Sequence, residues 1–158
     1  MENFFQEIAQ TAAAIHYQYT EQFVTALLPM TITVILHGFG MRLAAGVLAR
    51  FESRPHRGSR TAPHPLLMVA IVAVMLATHY LEVISWAAFY FLTDMLPTYK
   101  TAMTFSINAY TTLGASNIML HGRWQGLGGF EAMTAMLMFG WSTAILAAVA
   151  LKVHNIDE

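Results

Sequence analysis

Three long, mainly apolar stretches of this 158-residue chain carry no charged side chain. They are residues 22–41, between Glu21 and Arg42; 61–81, between Arg60 and Glu82; and 132–151, between Glu131 and Lys152. The second apolar run continues past Glu82 to Leu92. A helix that crosses a bilayer core about 30 Å thick needs about 20 mainly apolar residues. The pattern therefore predicts three spans, near Phe23–Ala49, Pro65–Leu92 and Gly128–Leu151. Pro29 falls early in the first of them, where a missing N–H is least expensive. Only 11% of residues are charged, against about 25% in soluble domains.

Orientation follows from arginine and lysine in short loops. The loop after the first span reads RFESRPHRGSR and holds Arg50, Arg54, Arg57 and Arg60, which places it in the cytoplasm. The N-terminus and the loop Thr93–Leu127 then lie outside, and the C-terminus lies inside. Residues 1–20 carry Glu2 and Glu7 and lack the basic start of a signal peptide. Phe4, Ile8, Ile15 and Tyr19 recur at helical spacing, so residues 1–20 are expected as an amphipathic interfacial helix. Residues 21–64 then form the first transmembrane helix with its basic loop, residues 65–153 a second unit, and residues 154–158 a tail. Small size and the lack of a eukaryotic targeting signal point to a bacterial inner membrane, a plasma membrane crossed several times.

Composition removes several function classes. The chain has no cysteine, so thiolate metal sites and cysteine nucleophiles are absent. A net charge of −1 supplies no basic field for nucleic acid. Gly126-Leu127-Gly128-Gly129 follows no strand and is not a phosphate loop. No serine has a histidine and an acid at catalytic spacing, so no enzyme activity and no soluble substrate are expected. The eleven methionines read as adaptable apolar packing.

Ionisable groups inside the spans are candidates for function. His37 lies near the middle of the first span and His79 near the middle of the second, with Glu82 on the same helical face. Antiparallel spans would bring the histidines to one depth. Three readings stay open for this intramembrane polar cluster: a clasp of mutually satisfied groups, a pair of haem ligands, or a proton relay or metal site. Glu131 opens the last span, where the helix dipole favours an acid. Trp86 and Trp124 fit as interfacial anchors.

The outer loop is too apolar to be simply solvated. Thr98, after Pro97, suits a helix cap, and Tyr99–Tyr110 suits a helix too short to span. Then comes a weakly polar island, Thr111-Thr112-Leu113-Gly114-Ala115-Ser116-Asn117. Irregular backbone at membrane depth survives only where protein buries it or water lines it. The residues leave two arrangements open, a re-entrant segment or an external loop resting on the membrane.

Ser106 followed by Thr111-Thr112-Leu113-Gly114 resembles the end of the pore helix and the signature of tetrameric potassium channels, where a helix ends in Thr-Thr-Val-Gly-Tyr-Gly-Asp. The order of parts over Pro65–Leu151 is similar as well: a span, a short helix, a filter and a returning span. The resemblance implies an all-α integral membrane protein with three transmembrane helices plus a re-entrant pore helix and filter, assembled as a homotetramer in membrane lipid. It implies a selectivity filter of Thr111, Thr112, Leu113, Gly114, Ala115, Ser116 and Asn117. In it the Thr112 hydroxyl and the carbonyls of Thr112, Leu113 and Gly114 meet a permeant potassium or sodium ion, with no other cofactor. Asn108 falls where some members place a carboxylate behind the filter and is expected to support it by hydrogen bonds. Gly140 matches a gating hinge on the inner helix, or alternatively a small residue for close helix packing.

The departures also carry expectations. The family's Tyr-Gly-Asp is Ala115-Ser116-Asn117 here. Serine in the left-handed backbone that the second glycine adopts costs about 1–2 kcal/mol, and alanine cannot brace the filter sideways as tyrosine does. The outer half is therefore expected to be wide and lined by Ser116 and Asn117, and potassium selectivity to be weak. The expected function is passive conduction of monovalent cations. The alternatives are a haem- or proton-carrying membrane protein using His37 and His79, or a non-conducting channel-like protein.

Overall fold

The computed structural model describes residues 1–52, 64–114 and 117–155, all of it helix and connecting turns. Helix α1 runs from Glu2 to Glu52, α2 from His64 to Leu92, α3 from Tyr99 to Tyr110 and α4 from Leu127 to Asn155, with one 3₁₀ turn at Gly122–Trp124. Three helices are long and apolar enough to cross a membrane.

Helix α1 is longer than the sequence suggests. Residues 1–20 do not form a separate element: the helix continues unbroken for 51 residues. No glycine or proline interrupts the chain between Glu2 and Leu28, and glutamate is a good helix former, so Glu7 and Glu21 do not stop it. Pro29 consequently sits deep inside the helix rather than in its first turn. Packing compensates there. Pro29 is buried, its carbonyl accepts the Thr33 hydroxyl at 2.9 Å, and Thr33 Oγ1 in turn accepts the Trp86 indole N–H at 2.9 Å. Trp86 is thus a core residue of the α1–α2 contact and not an interfacial anchor.

Side-chain pairs fix how the helices lie. Thr33 meets Trp86, His37 meets Glu82, and Met41 and Ala44 pack with Ile71 and Met75, so α1 and α2 are antiparallel. Phe23 meets Phe130 and His37 meets Trp141, so α1 and α4 run the same way. The closest crossing is at Gly40, where a Cβ would fall on the Thr78 side chain. Gly140, by contrast, is exposed, with open space where a Cβ would stand. Close packing within the chain therefore uses Gly40 and not Gly140.

Helix α3 forms over the residues its cap predicts. Thr98 is extended at φ −142° and accepts the Thr101 backbone N–H on its side chain at 3.1 Å. The helix then descends between α2 and α4. Phe105 packs on Tyr90 with ring centroids 5.1 Å apart, and Tyr110 bonds Glu82 further along α2. Glu82 is ten residues from the Leu92 end of α2, or about 15 Å at 1.5 Å per residue. The C-terminus of α3 therefore lies beside a point about a third of the way along α2 from its Leu92 end. Leu120, beyond it in sequence, is back at the loop end, buried with Trp86, Tyr90 and Leu127.

Candidate functional site

The end of α3 is a C-cap built without glycine. Thr112 N–H bonds Ala109 O at 3.0 Å, and Leu113 N–H bonds Asn108 O at 3.0 Å. This paired closure is the Schellman motif, whose turning residue needs a left-handed backbone and is usually glycine. Here it is Thr112, at φ 57°. A β-branched residue in this region is a rarity and is held by its surroundings at a cost of about 1–2 kcal/mol. Gly114 is also left-handed, at φ 61°.

Thr111, Thr112, Leu113, Gly114 and Asn117 are all exposed on the single chain. Ala115 and Ser116 lie outside the described residues, as do Arg54, Arg57 and Arg60 of the basic loop. The Asn108 side-chain amide donates to Thr104 O at 2.7 Å, one turn back in its own helix, while its carbonyl takes part in the cap. An open cleft of about 480 Å³ lies beside this segment, bounded by Asn108, Thr112, Gly114, Met119 and Gly129.

Two buried carboxylates, one from α2 and one from α4, hold Tyr110 and Ser106, which stand one turn apart on the same face of α3. Glu131, near the start of α4, is fully buried. Its Oε1 lies 2.5 Å from Ser106 Oγ of α3, and its Oε2 accepts the Tyr90 hydroxyl of α2 at 2.9 Å. Ser106 Oγ is also 3.0 Å from Val83 O. Glu82, fully buried on α2, accepts the Tyr110 hydroxyl on Oε2 and faces His37 Nδ1 across 2.9 Å on Oε1. A buried carboxylate without partners is very costly, so each such pair fixes a position as well as filling space.

His37, His79 and Glu82 thus come together, joined by two residues that the sequence reading did not include. Glu82 meets His37, His37 Nε2 is 3.4 Å from Ser142 Oγ, and Ser142 Oγ is 3.1 Å from His79 Nε2. His79 Nδ1 is 2.8 Å from Tyr110 OH, and Tyr110 donates to Glu82, which closes a ring drawn from all four helices. The imidazole rings are in contact, with centroids 5.3 Å apart. Tyr110 was within reach of sequence reasoning, being the last residue before the polar island. Ser142 stands two residues after Gly140, but only the rotation of α4 shows that it points at the histidines. No family model, curated protein or solved structure matches the chain.

Proposed function

We propose that the chain is the subunit of a cation channel that conducts monovalent ions passively with weak potassium selectivity. On this reading α3 is a re-entrant pore helix, and residues Thr111–Asn117 from four copies line a central pathway. The observation that supports it is the contact of the α3 C-terminus with Glu82, ten residues in from the Leu92 end of α2, a distance of about 15 Å that matches half of a bilayer core about 30 Å thick. Six Cα steps separate Gly114 from Leu120, a reach of about 20 Å. A return segment of this reach suits a filter between that depth and the outer surface.

Electrostatics supports the same reading. A helix C-terminus carries about half a negative charge, and in a water-excluded layer that partial charge favours a cation. The N–H groups of Thr111–Gly114 and the Thr111 hydroxyl are bonded within the cap, and on this reading the exposed carbonyls and the Thr112 hydroxyl need partners that lipid cannot supply. A water-filled axis shared with other copies can. The tetramer follows from the filter chemistry, since one chain supplies one wall of the pathway. Exposed Met133, Leu137 and Leu151 of α4 are available to lipid or to neighbouring copies.

Haem ligation by His37 and His79 fits less well, because the touching rings leave no slot for a macrocycle. The test is potassium and sodium flux into vesicles carrying the purified protein, with and without Thr112→Val. Flux of both ions that changes with the substitution is expected. Absence of flux, or a strong potassium preference, contradicts the reading.

A further inference from the structure

We propose that His37, His79 and Glu82 form an intramembrane site for a divalent first-row transition metal, with Zn²⁺ the ion best suited to the ligands. The site does not depend on the channel reading. Protons run short around the ring of Glu82, His37, Ser142, His79 and Tyr110. The five contacts each need one proton. A carboxylate with two neutral imidazoles, one serine and one tyrosine brings about four. One contact is left unfilled around a buried anion, so the ring is short of one positive group.

The ligand set and its surroundings suit a metal in that role. One ligand atom from each of the three side chains lies within 4.8 Å of the others. Glu82 Oε1 is 2.9 Å from His37 Nδ1, and Oε2 is 3.4 Å from His79 Nδ1. Ligands about 2.0–2.1 Å from a tetrahedral ion stand about 3.3 Å apart, so small shifts of these side chains bring three ligands onto one ion, and a water takes the fourth position. Two imidazoles and a carboxylate are a common first-row metal set.

The outer partners are already in place. With the Nδ1 atoms on the ion, both imidazoles present Nε2–H to Ser142 Oγ, which has two lone pairs to accept them. Tyr110 donates to the Glu82 carboxylate, and His79 Nδ1 exchanges its 2.8 Å contact with the Tyr110 hydroxyl for the ion. Hydrogen bonds of this kind orient metal-bound histidine and carboxylate. His37 and Glu82 side chains are fully buried, while His79 keeps 12% of its side chain accessible, which gives the ion a way in. Because Tyr110 is the last residue of α3, occupancy of the site bears directly on the segment that follows.

The test uses the full chain, purified in detergent, stripped with chelator and titrated with Co²⁺ and then Zn²⁺. One Co²⁺ per chain is expected, with the intense visible absorption of a four-coordinate ion, displaced by Zn²⁺. His37→Gln should weaken binding at least about tenfold, and Ser142→Ala, which touches only the outer partners, by about tenfold to a hundredfold. His121→Gln, in the exposed outer loop, should leave it unchanged. Substoichiometric binding by the wild-type chain overturns the proposal, as does Co²⁺ bound equally well by His37→Gln. So does a doubly protonated imidazole seen by nitrogen NMR that persists under excess Zn²⁺, since a proton would then complete the ring. The readout needs no flux. A protein that conducts without binding metal overturns only this site, and one that binds without conducting overturns only the channel reading.

Discussion

Thr112 turns the chain out of α3 with the wrong residue type for the task. Its left-handed backbone at φ 57° predicts that Thr112→Gly raises the thermal unfolding midpoint in detergent, corresponding to about 1 kcal/mol. Gly114→Ala should lower it by about 1–2 kcal/mol. A Cβ at Gly114 meets nothing within 4 Å, so conformation alone is at issue. Equal midpoints for wild type and both variants would contradict the backbone assignment. This turn was hidden in the sequence, because the usual mark of such a cap is glycine and threonine conceals it. The polar island itself was plain, since Thr111, Thr112, Gly114, Ser116 and Asn117 follow one another closely between two apolar runs.

Helix α3 is held by hydroxyl groups on carboxylates from its two neighbours. Tyr110→Phe removes one donor from buried Glu82 and should cost about 1–3 kcal/mol, read as a lower unfolding midpoint. An unchanged midpoint would mean that the Tyr110–Glu82 contact holds nothing. At the α1–α2 crossing, Gly40→Ala should destabilise because its Cβ meets Thr78. Adding Thr78→Ala should restore only part of the loss, since Thr78 Cβ itself would lie 2.8 Å away. Full restoration would place the crossing elsewhere. The bounds of α3 were legible from Pro97 and Thr98, and the meeting of His37 with His79 from antiparallel depth. Hydrogen-bond partners between helices were not, because spacing gives depth along a helix but not its rotation. Glu131 and Trp86 were misjudged for that reason: each lies near a span end yet faces inward.

At the scale of the molecule, the three spans were readable because a bilayer sets helix length. The full extent of α1 was not. Its 51 residues extend for about 77 Å at 1.5 Å per residue, more than twice a bilayer core, and Phe4, Ile8 and Ile15 are exposed along its first part. Scattered charge there suggested a boundary that the backbone, free of glycine and proline, does not make. The basic loop predicts an external Thr93–Leu127 segment. The chain has no cysteine, so His121→Cys should react with a membrane-impermeant thiol reagent from outside intact cells. Reaction only after lysis would reverse the topology. The same absence of cysteine makes the central claim directly measurable. Vesicles carrying Asn117→Cys should lose monovalent cation flux by more than tenfold when the impermeant reagent is added, while His121→Cys vesicles react and keep their flux. Complete modification of Asn117→Cys with no change in flux would show that this segment does not line the ion pathway.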